Sequence, residues 1–159
     1  MYALGILLLV AVLFTRPVNN ACSWFDLHFF KIQPSEFVKR TWEAARACVN
    51  TVIDHMKPGE VAAAVAARGK EQLSSLPPDI VWHGCYAYSI GLGFPPKWDD
   101  CPVAVEEGAD TILQPGMVFH TSCSLRDVGR FGVTFGDTVL ITDHGCEVLT
   151  GVPRELVVK

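Results

Sequence analysis

The chain has 159 residues, enough for one domain with a real core. Half of its residues are apolar and 19% are charged, which excludes a disordered polymer. The net charge of −4 is spread along the chain without a basic run, which argues against nucleic-acid binding through phosphates.

Residues 3–14 form an apolar run. It falls short of the roughly 20 residues needed to span a bilayer and suits the apolar region of a signal peptide. No Lys or Arg precedes it, and Val18-Asn19-Asn20-Ala21 is a poor small-x-small cleavage site. A signal peptide, a short anchor and the remnant of a buried strand all remain open. Secretory or membrane-associated localisation follows if residues 1–21 act as a signal, and cytoplasmic localisation otherwise. Residues 1–30 are set apart as a leader, and 31–159 form the domain. Within 22–31, Trp24, Phe25, Phe29 and Phe30 lie close together, a density that more often means packing than ligand stacking.

The spacing predicts a helix over 34–57. Ser35 is its N-cap, and Phe37, Val38, Trp42, Ala45, Cys48, Val49, Val52, Ile53 and Met56 form an apolar stripe. Pro58 stops it and Gly59 lets the chain turn. Residues 61–73 read as a second, Ala-rich helix suited to close packing. Ser-Ser and Pro-Pro set a loop over 74–79.

Pro115-Gly116 supplies the central pair of a type II turn. A short strand follows over 117–121 and a longer one over 133–142. In the longer strand Val133, Phe135, Val139 and Ile141 share a face that Asp137 interrupts, while Thr134, Gly136, Thr138, Leu140 and Thr142 fall on the other. Asp143-His144-Gly145 turns the chain into a last short strand over 146–150. The six cysteines at 22, 48, 85, 101, 123 and 146 have no Cys-x-x-Cys spacing, so no zinc ribbon or thioredoxin motif is present. Small buried thiols are the simpler reading, although disulfides stay open in a secreted chain.

Three pieces together carry a resemblance: Pro115-Gly116-Met117-Val118-Phe119, the run Asp137 to Thr142 (DTVLIT), and the run Gly145 to Leu156 (GCEVLTGVPREL). In that order they resemble the C-terminal half of the pita-bread family, which holds methionine aminopeptidase, aminopeptidase P, prolidase, creatinase and ectoine hydrolase. The helix, the Lys57-Pro58-Gly59 turn and the second helix extend the likeness upstream to Ser35. Ala87-Tyr88-Ser89-Ile90-Gly91-Leu92 and the stretch Phe94 to Asp100 look like the creatinase and ectoine-hydrolase branch.

The resemblance implies a five-ligand, two-metal site in the peptidases: two Asp, one His and two Glu. Carboxylates and imidazole suit hard or borderline cations that activate water. The Asp pair is expected upstream of Ser35, outside the matching stretch. The His position is Tyr88, the first Glu is Ser122 and the second is Gly136. No metal and no other cofactor is expected. Creatinase works without metal through a histidine base, which also lies in the upstream half.

Candidate bases here are His120, which matches a histidine of ectoine-hydrolase-like relatives, and His83, which lies five residues before Tyr88 where the peptidases have a four-residue spacing. Each competes with an ordinary strand or loop histidine. Tyr88, Ser122 and Trp98 are candidate pocket residues, and Tyr88 is better suited to filling space and hydrogen bonding than to acid–base work. Cys123 beside Ser122 lacks a visible activating base. Asp143 and His144 read as turn residues, and Asp99 and Asp100 as a solvated loop.

The expected fold is α+β: the C-terminal half of a pita-bread barrel, with helices on a curved antiparallel sheet. The expected function is a truncated or degenerate creatinase/Xaa-Pro peptidase-like domain, lacking the metal ligands and inactive alone. Two rivals stand beside it. One is a metal-free C–N hydrolase half completed by a partner chain, and the other is a secreted binding module on the same scaffold. The expected partners are a second copy or a complementing chain, and a small molecule or dipeptide only if the chain is active.

Overall fold

The structure is a computed structural model that describes residues 13–14, 33–82, 84–90, 103–151 and 154–156. His83, Trp98, Asp99 and Asp100 lie outside the described residues, as do Cys22, Cys101 and the aromatic cluster of 22–31.

Two helices pack on one face of an antiparallel sheet. The elements run β1 (Leu13–Phe14), α1 (Glu36–His55), α2 (Ala62–Glu71), β2 (Ile80–Val81), β3 (Cys85–Ser89), β4 (Ala104–Glu106), β5 (Val118–Asp127), β6 (Phe131–Thr142) and β7 (Gly145–Val148). The strand order is β1-β6-β5-β3-β4, with β2 beside β5 and β7 beside β6.

Helix α1 starts where the Ser35 hydroxyl accepts from the Val38 N–H at 3.3 Å, satisfying one of the amides a helix start leaves without a partner. Its stripe of Val38, Trp42, Ala45, Cys48, Val49, Val52 and Ile53 is buried. Trp42 meets Phe135 edge-on at 6.0 Å, and Phe37 meets Phe131 at 5.6 Å. Edge-to-face pairs of this kind add to what area burial alone contributes.

Helix α2 has no side-chain cap. The carbonyls of Thr111 and Ala109 instead accept from the Ala62 and Ala63 N–H groups at 2.9 and 3.0 Å. Its Ala-rich face lets it sit close: a Cβ on Gly69 would lie 2.7 Å from Val52 Cγ2 and 2.8 Å from Tyr86 Cδ1. Among the described residues no helix is long and apolar enough to cross a membrane.

The long β5–β6 hairpin carries the architecture. In β5, Phe119, Thr121, Cys123, Leu125 and Asp127 face the helices. In β6, Phe131, Val133, Phe135, Asp137, Val139 and Ile141 do so. The strand expected to end at Thr121 therefore continues to Asp127, because every second residue still has a buried place to go. Residues 128–130 close the hairpin, with Gly129 at φ +81° and the Arg130 N–H donating to the Asp127 carbonyl at 2.9 Å. The Pro115-Gly116 turn forms as expected: Gly116 has φ +87°, and the Met117 N–H donates to the Gln114 carbonyl at 3.3 Å.

Candidate functional site

The alternation that buries one face of the hairpin turns a set of polar and small residues to the other. Register fixes which of them meet. Tyr88 of β3 stands opposite His120 of β5, and the two rings meet edge-on at 5.2 Å. Across the hairpin, His120 stands opposite Thr138, Ser122 opposite Gly136, and Ser124 opposite Thr134. Tyr88, Ser122 and Gly136, which the resemblance puts at expected ligand positions, thus share one half-buried patch with His120. The sequence assigned these positions one by one, and the register brings them together.

Gly136 is held at close quarters. A Cβ there would lie 2.5 Å from the Thr121 carbonyl oxygen, 3.3 Å from His120 Cε1 and 3.5 Å from Nε2. Real Cβ atoms do not approach backbone that closely, so any side chain at this position requires the two strands to shift. The other side of the same β-pair is locked: the Thr121 hydroxyl donates to the Asp137 carbonyl at 3.0 Å and accepts from the Asp137 N–H at 3.2 Å.

Burial pushes the His120 imidazole below its ordinary value, so the ring is neutral near neutral pH. A neutral imidazole can take a proton from water or substrate, but general-base work also needs a partner that holds the ring's orientation. Among the described residues no carboxylate forms an ion pair with it. The shift carries a testable consequence. A histidine whose folded pKa is lowered resists charging, so the fold loses stability as pH falls from the ordinary value of 6.5 through the lowered one. The His120 ring protons are expected to titrate below 6.5 by NMR, and His120→Gln to lessen the acid-side loss of stability. Titration at or above the ordinary value contradicts the burial argument.

The remaining sequence candidates are elsewhere. Cys123 points the opposite way from Ser122, into the core against Cys48 of α1. Contact with Cys48 and burial hold its thiol far above the ordinary range, which suits packing and opposes nucleophilic attack. Asp143 and His144 occupy the exposed β6–β7 turn, where the His144 N–H donates to the Thr142 hydroxyl at 3.3 Å. Among the described residues, no three His, Cys, Asp or Glu side chains gather as a metal-holding group.

One feature near the patch is not visible in sequence periodicity. Asp137, read as a break in an apolar face, is buried on that face, and Arg154 Nη2 lies 2.6 Å from its Oδ2. Arg154 Nη1 also donates to Asn50 Oδ1 of α1 at 2.6 Å. Arg154 thereby ties the C-terminal segment to both layers, to β6 at Asp137 and to α1 at Asn50. The pairing of the Arg in the Pro153-Arg154-Glu155-Leu156 run with the Asp of the Asp137-Thr138-Val139 run was available in the sequence only as two motif fragments.

The α+β layer pair built on a curved antiparallel hairpin is part of a pita-bread fold. Dipeptidase PepE from Mycobacterium ulcerans shares it with a TM-score of 0.68 at 26% identity, over 78% of this chain and 32% of that one. Xaa-Pro dipeptidase from Bacillus anthracis shares the fold with a TM-score of 0.68 at 22% identity, over 79% of this chain and 35% of that one. Residues 18–143 match metallopeptidase family M24, and the chain belongs to that family. Ectoine hydrolase from Halomonas elongata is 34% identical over 126 residues, covering 79% of this chain and 31% of the relative. The chain spans about a third of the length of these relatives.

Proposed function

We propose that this chain is a degenerate creatinase/Xaa-Pro peptidase-like domain that holds no metal and does not hydrolyse substrate by itself. The observation that carries the reading is Gly136. A peptidase-type site wants a carboxylate there, glycine supplies no donor atom, and the 2.5 Å approach of the Thr121 carbonyl leaves no place for a Cβ. Tyr88 and Ser122, at the other matched positions, offer a phenol and a hydroxyl where imidazole and carboxylate suit the cation. Among the described residues, the side chains at these positions do not fit a two-metal centre.

The test is elemental analysis of the purified chain after equilibration with manganese, cobalt or zinc and removal of excess ion. Less than stoichiometric metal is expected. About two equivalents per chain, as a two-metal mechanism requires, overturns the proposal.

A second reading is favoured by one observation: a neutral imidazole, a phenol and a hydroxyl converge on one half-buried patch. Completed by a second chain that supplies a base or an orienting carboxylate, the patch becomes half of a metal-free C–N hydrolase. Turnover that appears only on mixing with that chain, and is lost in His120→Ala, supports it.

A further inference from the structure

Arg154 is received by three groups that differ in chemistry. Asp137 of β6 is buried on the helix-packed face, and Arg154 Nη2 lies 2.6 Å from its Oδ2. Asn50 of α1 accepts from Arg154 Nη1 through Oδ1 at 2.6 Å. The guanidinium carbon sits over the Phe135 ring, 5.9 Å from its centroid. A guanidinium has three features that a protein can recognise: a delocalised positive charge, N–H donors spread in one plane, and a weakly hydrated flat face. Here each feature meets its own partner: a carboxylate, an amide oxygen and an aromatic ring. An ammonium carries one nitrogen and no plane, so it cannot bridge the carboxylate and the amide while stacking on the ring.

The receiving groups are held in place by contacts that do not involve Arg154. Asn50 lies in the interior of α1. The Thr121 hydroxyl bonds both backbone groups of Asp137. Phe135 is buried and meets Trp42 edge-on. Arg154 itself belongs to no helix or strand. The chain before it is fixed separately: the Leu149 N–H donates to the Thr138 carbonyl and the Thr138 N–H to the Thr150 hydroxyl, each at 2.8 Å. A slot built on regular elements thus receives a side chain from irregular backbone, and a slot of that kind is preorganised. The Arg154 side chain is 32% exposed, so the slot opens to solvent. Emptying it strands a carboxylate that is 2% exposed, and a bound cation recovers that cost. We infer that Asp137, Asn50 and Phe135 form a guanidinium-binding site, which Arg154 fills from within the chain and which takes the guanidinium group of another molecule when Arg154 is withdrawn. The site lies on the opposite face of β6 from the His120 patch, and it is independent of any chemistry there.

The test uses the full chain with Arg154→Ala, which empties the slot, and ethylguanidinium chloride as the probe. Urea unfolding is followed by tryptophan fluorescence, with ethylammonium chloride at equal concentration as the control. At a probe concentration about ten times its dissociation constant, a ligand that binds only the folded state raises the folding equilibrium constant about elevenfold. A saturating rise of that order is expected in Arg154→Ala with ethylguanidinium and not with ethylammonium. No such rise is expected in the parent, whose slot is filled, or in Arg154→Ala/Asp137→Asn, whose slot lacks the carboxylate. Equal rises with the two cations, or a rise of the same size in either control protein, overturn the inference, as does the lack of a rise in Arg154→Ala. If Arg154→Ala is unfolded in buffer, ethylguanidinium is expected to restore its native fluorescence where ethylammonium does not, and failure to restore it overturns the inference as well.

Discussion

The purified chain is expected to leave Xaa-Pro dipeptides, creatine and ectoine unhydrolysed. Peptidase chemistry in this family's pattern depends on a metal-bound water, and the metal supplies both the Lewis acid and the nucleophile. Tyr88, Ser122 and Gly136 stand where three of its ligands are expected, and a carboxylate cannot be added at Gly136 without moving the Thr121 carbonyl. Metal-free hydrolysis needs a positioned base, a contribution of about 10²–10⁴-fold. His120 is neutral and so able to accept a proton, but no carboxylate among the described residues orients it. A discontinuous assay with each substrate, run beside a buffer blank, checks the expectation. Turnover that co-purifies with the chain and disappears in His120→Ala, with the fold intact by circular dichroism, makes His120 the base and overturns the inactive reading. The structure makes that substitution informative, because His120 lies on the polar face and its loss opens no cavity in the helix-packed core.

How much of this was legible in advance depended on whether the signal was local. Helix α1 was, since a 3.6-residue stripe repeats over five turns and Ser35 precedes it. The Pro115-Gly116 turn and the alternation of β6 were equally local. The hairpin was harder. Ser122 and Ser124 look like loop residues until one sees that they occupy the polar face while Cys123 and Leu125 continue the buried one. Val128-Gly129-Arg130 carries only a single glycine as a turn marker. Strands β2 and β4 were missed for another reason. At two and three residues they are too short for any period, and they exist because β5 and β3 offer edges.

The candidate site was legible as positions and illegible as a place. That Tyr88, Ser122 and Gly136 are expected at ligand positions is what the motif resemblance implies. That His120 touches Tyr88 and crowds Gly136 follows only from cross-strand register, which a one-residue slip would have destroyed. His83 and Trp98 lie outside the described residues.

Replacing Arg154 with Met is expected to cost about 3 kcal/mol of folding stability near neutral pH. Removing one partner of a buried ion pair typically costs about 3–5 kcal/mol, and the lower figure applies because Arg154 is itself a third exposed. The cost arises at Asp137, whose side chain is 2% exposed and keeps its position under β6 whether or not the guanidinium is there. Burial already holds the Asp137 carboxyl above its ordinary value, against the pull of Arg154 and a hydrogen bond from Thr150. Without Arg154 that pull is weaker and the folded pKa rises further. The sign of the pH dependence follows. A carboxyl with a raised folded pKa is favoured in its protonated form, so stability is highest below the unfolded carboxylate range and falls as pH rises through the folded pKa. The deficit of Arg154→Met relative to the parent is therefore expected to be full near pH 7 and to shrink on acidification to about pH 5. Adding Asp137→Asn to the variant removes the stranded charge and is expected to restore most of the loss. Urea unfolding of the three proteins at both pH values measures this. A deficit of the same size at both values, or a double variant no more stable than Arg154→Met, means that Arg154 acts through Asn50 and packing rather than through the buried carboxylate.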